Sequence, residues 1–225
     1  MAGKNSRVSI LGPYHQGLLL ISLLLILLLN PILSELDLPG SRWILTIFFS
    51  AVLFAGIFAV SQTRGVVIAA ILLAFPAFLF RWVNEFFAIS DILYHLFDIF
   101  FIFYIGATIL SYVLKSGRVT TGRIVGAVNV YFLIGLTWSH FYSIIYALSP
   151  ASFAVTSPDP SYFLYYSYVT MSTLGYGDIT PLTPVARSFA YMEAMIGQLF
   201  LAVLVARLVG QHIVDAGRKS TGSFR

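Results

Sequence analysis

The chain has 225 residues, 59% of them apolar and only 10% charged, and its 20 Phe, 13 Tyr and 3 Trp accompany a mean hydropathy of +0.89. That is more apolar surface than a water-facing fold can hide, so a soluble globe, a disordered tail and a coiled coil are excluded and a membrane protein remains. The net charge of +4 rests on basic residues scattered singly between apolar runs, which form no stripe for nucleic acid; with no cysteine, disulfides, thiol nucleophiles and thiolate metal sites are excluded too.

A spanning helix needs about 20 mostly apolar residues. The first such run is Gly17–Leu33, preceded by a segment 1–16 that carries Lys4 and Arg7. No small-residue cleavage pattern follows; the run passes into Asn30-Pro31-Ile32-Leu33 and reads as a retained span, not a signal peptide. Further spans are predicted at 42–60, 65–83, 92–114, 123–148 and 184–214. The breaks carry turn or charge signals: Leu-Pro-Gly at 38–40, Ser-Gln-Thr-Arg-Gly at 61–65 and Lys-Ser-Gly-Arg at 115–118. The fold class is thus an all-α membrane protein of six spans. Four peripheral helices fill 17–114, a linker 115–122, a second unit 123–214 and a short polar tail 215–225.

Between the fifth and sixth spans the chain changes character. Pro150, Pro158 and Pro160 precede the aromatic stretch Tyr162–Tyr168, and Gly175 and Gly177 follow. This stretch is too short to cross a bilayer and too apolar for an ordinary loop, so it reads as a re-entrant segment. With six spans, one side collects Lys4, Arg7, Arg64, Lys115, Arg118, Arg123, Arg218, Lys219 and Arg225, while Arg42, Arg81 and Arg187 fall on the other. Positive residues mark the cytoplasm, so both termini are expected on the cytoplasmic side of the cell membrane and the re-entrant segment opens outward.

Residues 172–178 read Ser-Thr-Leu-Gly-Tyr-Gly-Asp. A cation stripped of water inside a membrane needs a cage of oxygens. Carboxylates would hold it too tightly to release it, whereas stacked backbone carbonyls offer neutral dipoles in several equivalent sites. Pointing successive carbonyls one way requires alternation between right- and left-handed conformations, which glycine tolerates cheaply, and Gly175 and Gly177 meet that need. Tyr162–Ser172 suits a short helix whose negative dipole end favours a cation at the membrane interior. One chain supplies one quarter of such a cage, so a homotetramer is expected.

Thr173–Asp178 resembles the selectivity-filter signature of potassium channels, and 123–207 resembles the pore domain of small bacterial six-span members, with Leu174 where Val is commonest. The resemblance implies that Thr173, Leu174, Gly175 and Tyr176 coordinate K+ and that Gly177 and Asp178 shape the outer mouth. It implies that Tyr165 and Tyr166 pack against Tyr176 to support the filter. Val169 replaces the glutamate that bonds the filter aspartate in some members, so that bond is unavailable to Asp178. Pro181 and Arg187 match the entry of the inner helix, and Gly197 sits at the spacing of the family's inner-helix hinge.

Other features stay open between two readings. Gly197 suits either a hinge or close helix packing. Gln198 and Leu201 are candidates for lining the cavity below the filter, with Gln198 alternatively bonding a neighbouring helix. Glu193 lies well inside a span and must face protein, as a structural bond behind the filter. Asp91, His95 and Asp98 fall at i, i+4 and i+7 on one face of the fourth span. They form either a polar seam near Arg81 or Glu85, or a sensor of protons or divalent metal.

From Ile92 to Leu114 the fourth span has no Arg or Lys, so steep voltage dependence is not expected. The carboxylates do not converge from two helices, so an enzyme is not expected either. The expected function is passive potassium conduction, with K+ as permeant ligand and no cofactor. A transporter and a modulatory subunit that cannot conduct alone are the alternatives, and a separate regulatory subunit stays open as a partner.

Overall fold

Pro184 opens the longest helix of the protein, with Thr183 immediately before it accepting the Ala186 amide at 3.4 Å. The pairing of a hydroxyl cap with proline at the first helical position is a physical start signal. The computed structural model describes residues 13–36, 40–61, 63–87, 91–115, 120–155 and 161–222. Its helices are α1 (Pro13–Glu35), α2 (Ser41–Ala59), α3 (Arg64–Phe87), α4 (Asp91–Val113), α5 (Thr121–Leu148), α6 (Ser161–Met171) and α7 (Pro184–Gly222).

Five helices, α1, α3, α4, α5 and α7, are long and apolar enough to cross a membrane. The span expected at 42–60 falls on α2, whose apolar stretch Trp43–Ala59 is shorter. The sixth span was expected to end near Val214 in a polar tail, but α7 continues to Gly222. Loss of apolarity ends a membrane span without ending the backbone hydrogen-bond ladder, and no proline interrupts it. Residues 1–12, residues 116–119 of the linker and 223–225 lie outside the described residues, and with them Lys4, Arg7, Arg118 and Arg225.

The peripheral helices and α5 share one apolar core. Leu19 and Leu23 of α1, Val52 of α2, Phe101 and Ile105 of α4 and Leu133 of α5 are buried in it. On α3, Ala70, Ala74 and Ala77 let the backbone approach its neighbours closely. Gln16 and Asn129 add a buried polar tie: Asn129 Nδ2 donates to Gln16 Oε1 at 3.0 Å, and Gln16 donates to the Ala59 carbonyl at 2.9 Å. The outward faces carry Phe54, Leu72, Phe75 and Phe103 exposed, as a lipid-facing surface requires.

A second core sits around α6 and the segments that flank it. Trp138 and Tyr142 of α5 meet Phe153, Phe163, Tyr166 and Ile179 there. A two-residue antiparallel ribbon, β1 (Phe153–Ala154) with β2 (Thr180–Pro181), pairs Phe153 with Pro181 and Ala154 with Thr180. The ribbon ties the chain before α6 to the exit from the glycine-rich segment, so both ends of that stretch are anchored. Nothing in the local sequence patterns announced it.

Candidate functional site

The C-terminal carbonyls of α6 cannot be satisfied within their own helix. They are met by the chain that follows. The Ser172 amide donates to Tyr168, Thr173 to Thr170, and Leu174 to Val169, each at 3.0 Å, while Gly175 reaches Val169 at 3.4 Å. Amides 172–175 are thus turned back onto the helix end, which leaves the carbonyls of the glycine-rich segment free of that task.

The backbone past this point alternates in handedness. Positive φ recurs at Thr173 (63°), Gly175 (56°) and Gly177 (82°), whereas Leu174 and Tyr176 keep negative φ. The glycines sit where that requirement placed them. Thr173 does not follow from it: a β-branched residue there costs roughly 1–2 kcal/mol. Its amide bond to Thr170 helps to hold it in that conformation.

Tyr165 and Tyr166 take different roles. Tyr166 is buried and packs on Tyr142 and Phe153, with ring centres 4.9 and 5.6 Å away. It does not stack on Tyr176 within the chain, whose side chain stays 68% exposed. The Tyr165 hydroxyl donates to Asp178 Oδ2 at 2.7 Å. The Ile179 amide donates to Oδ1 at 3.1 Å, so both carboxylate oxygens are held. With Val169 unable to bond Asp178, the neighbouring turn of the same helix supplies the donor. The signal in the sequence was the Tyr165 hydroxyl four residues before Val169, but no spacing rule identified it.

Behind α6, Glu193 is fully buried and meets Tyr142 and Ser167, each at 2.5 Å. Ser167 also donates to the Gly135 carbonyl at 2.7 Å. Gly197 faces the last residue of α6: a Cβ there would lie 2.5 Å from Met171 Cγ and 2.8 Å from its carbonyl oxygen. Gln198 Nε2 donates to that same carbonyl at 3.2 Å. Gly197 is therefore a close-packing residue within an unbroken α7, and Gln198 makes the helix bond that was its alternative reading. Leu201 is partly exposed on α7, two residues from Leu199 and Val203 and therefore on a different side of the helix from them.

The fourth-span face is drawn inward. Asp98 is fully buried and pairs with Arg81 of α3, whose guanidinium lies 3.5 Å from the Phe49 ring centre. His95 Nδ1 and His140 Nδ1 lie 2.7 Å apart, one donating to the other, and His140 Nε2 lies 3.9 Å from Asp98. The described geometry is a polar seam joining α3, α4 and α5. Among the described residues no three His, Cys, Asp or Glu side chains are grouped to hold a metal. The side chains of Asp91 and Glu85 lie outside the described residues. His140 went unnoticed in the sequence because a lone histidine on an apolar helix has no local partner to mark it.

Membrane-capable helices flanking a short helix and a backbone of alternating handedness are the features of a channel-type membrane protein. A sequence model of the family described as "Ion channel" matches residues 99–211, about half of the chain, and the chain belongs to that family. Among similar proteins, two pore potassium channel c of Oryza sativa subsp. japonica is 32% identical over 105 residues, which is 42% of this chain and 21% of the rice protein. Two-pore potassium channel 5 of Arabidopsis thaliana is 48% identical over 52 residues, 23% of this chain and 12% of that protein. Two-pore potassium channel 2 of the same plant is 31% identical over 102 residues, 45% of this chain and 21% of that protein. The chain thus spans about a fifth or less of the length of these relatives. No solved structure matches significantly.

Proposed function

We propose that this chain is the subunit of a potassium-selective channel, a homotetramer of six-span subunits that conducts K+ passively through a carbonyl-lined filter. The observation that carries the reading is the positive φ at Thr173, Gly175 and Gly177, in a segment whose amides 172–175 are already engaged. Such a backbone presents neutral carbonyl dipoles to a cation, and Thr173, Leu174, Gly175 and Tyr176 supply them, with Gly177 and Asp178 at the outer mouth. Similarity to proteins named potassium channels supports the choice of ion.

The tetramer follows from the same chemistry, because one strand provides one wall of a cage and a closed ring provides the rest. The exposed apolar face of α7, with Met195, Leu199 and Val203, supports contact with further copies. Both termini face the cytoplasm of the cell membrane on the charge distribution, and α4, without Arg or Lys between Ile92 and Val113, gives shallow voltage dependence. The His95 and Asp98 face acts as the seam that joins the peripheral helices to α5.

The test is rubidium or thallium uptake into liposomes containing the purified chain, with barium as blocker. Uptake that barium abolishes, and that falls at least about tenfold in Gly175→Ala, supports the channel, since a side chain at a positive φ strains the filter backbone. Saturating exchange kinetics point to a transporter, and silence of the assembled pure protein points to a modulatory subunit.

A further inference from the structure

Glu193 sits in a hydrogen-bond arrangement whose protons can be counted. Tyr142 has one hydroxyl proton, and Glu193 Oε2 is its acceptor. Ser167 also has one, yet its oxygen lies within hydrogen-bond distance of two groups, the Gly135 carbonyl and Glu193 Oε1. A carbonyl only accepts. If Ser167 gives its proton to Gly135, the contact at 2.5 Å with Glu193 Oε1 needs a proton from the acid itself. If Ser167 gives it to an ionised Glu193 instead, the contact with Gly135 at 2.7 Å becomes two oxygens facing each other without a hydrogen.

The surroundings agree with the first arrangement. The titratable groups facing Glu193 are Tyr131 and Tyr142 of α5 and Tyr166 and Tyr168 of α6. The groups acting on Glu193 among the described residues are Ser167 and Tyr142, and no Lys, Arg or His is among them. An ionised carboxylate buried without a cation is costly, whereas a neutral acid with one donor and one acceptor bond satisfies every partner.

We propose that Glu193 is held as a neutral carboxylic acid that donates to Ser167 and accepts from Tyr142, so that its own proton fastens α7 to α6 while the Tyr142 proton ties it to α5. The chain of bonds runs from Tyr142 to Glu193 to Ser167 to the Gly135 carbonyl. Ser167 lies on the helix whose end holds amides 172–175, so Glu193 is a positioning residue for the filter. This role rests on the channel reading above, but the protonation state does not.

Infrared difference spectroscopy of the reconstituted full chain at neutral pH, wild type minus Glu193→Gln, tests it. The expected result is a carbonyl stretch of a protonated carboxylic acid, moved in Ser167→Ala because the acid loses its acceptor. Carboxylate bands in its place would overturn the proposal. Barium-sensitive rubidium flux gives the second readout. Glutamine can donate through Nε2 and accept through Oε1, so Glu193→Gln is expected to conduct within about twofold of wild type, while Glu193→Ala falls about tenfold or more. Equal loss in assembled Glu193→Gln and Glu193→Ala protein would count against the positioning role. A wild-type chain with the acid band but no flux defeats the channel reading and leaves the protonation assignment intact. If a variant fails to assemble, the wild-type spectrum against Ser167→Ala decides.

Discussion

Tyr165 and Asp178 are joined by a hydrogen bond of 2.7 Å that links the exposed face of α6 to the end of the glycine-rich segment. The bond leaves the segment between its two ends as a loop fixed at both. Tyr165→Phe removes the donor and keeps the ring. A net loss of about 0.5–1.5 kcal/mol is expected, expressed as weaker retention of the conducting shape. Sustained rubidium flux should decline by severalfold while the initial rate and assembly persist, and an unchanged time course would show that the bond is incidental.

At Gly197 the packing and hinge readings diverge in experiment. An added Cβ would overlap Met171 Cγ, which can move, and the Met171 carbonyl, which is backbone and cannot move cheaply. Gly197→Ala is therefore expected to lower stability by about 1–3 kcal/mol, read as a reduced midpoint in thermal unfolding of the detergent-solubilised protein. A variant with wild-type stability and altered gating alone would restore the hinge.

The Arg81–Asp98 pair is buried on the carboxylate side, so removing one partner leaves the other charge without compensation. Asp98→Leu and Arg81→Met are each expected to destabilise the fold by about 3–5 kcal/mol, and the double variant by clearly less than the sum. Thermal or denaturant unfolding of the four proteins gives the coupling. Simple additivity would mean that the pair does not stabilise the seam between α3 and α4.

Voltage is a separate matter. Moving one charge through the membrane field is worth about 2.3 kcal/mol per 100 mV, and α4 carries no Arg or Lys from Ile92 to Val113. Planar-bilayer recordings should give open probability that changes little between negative and positive potentials. An activation curve requiring several gating charges per subunit would refute this.

Local sequence was enough for the membrane class, the order of the helices, the short helix before the glycine-rich segment and the glycines of the Thr173–Asp178 motif. These depend on local quantities: the length of an apolar run, the placement of proline, and the left-handed freedom that only glycine has cheaply. Tertiary structure decided what touches what. It paired His95 with His140 across two helices, gave Asp178 its donor in Tyr165, closed the β1–β2 ribbon, and set Gly197 against Met171 as a packing contact. It also placed Thr173 at positive φ, a conformation its own side chain disfavours. A hydrogen bond or steric contact between distant positions depends on how helices are brought together, and one residue's chemistry carries no address for its partner.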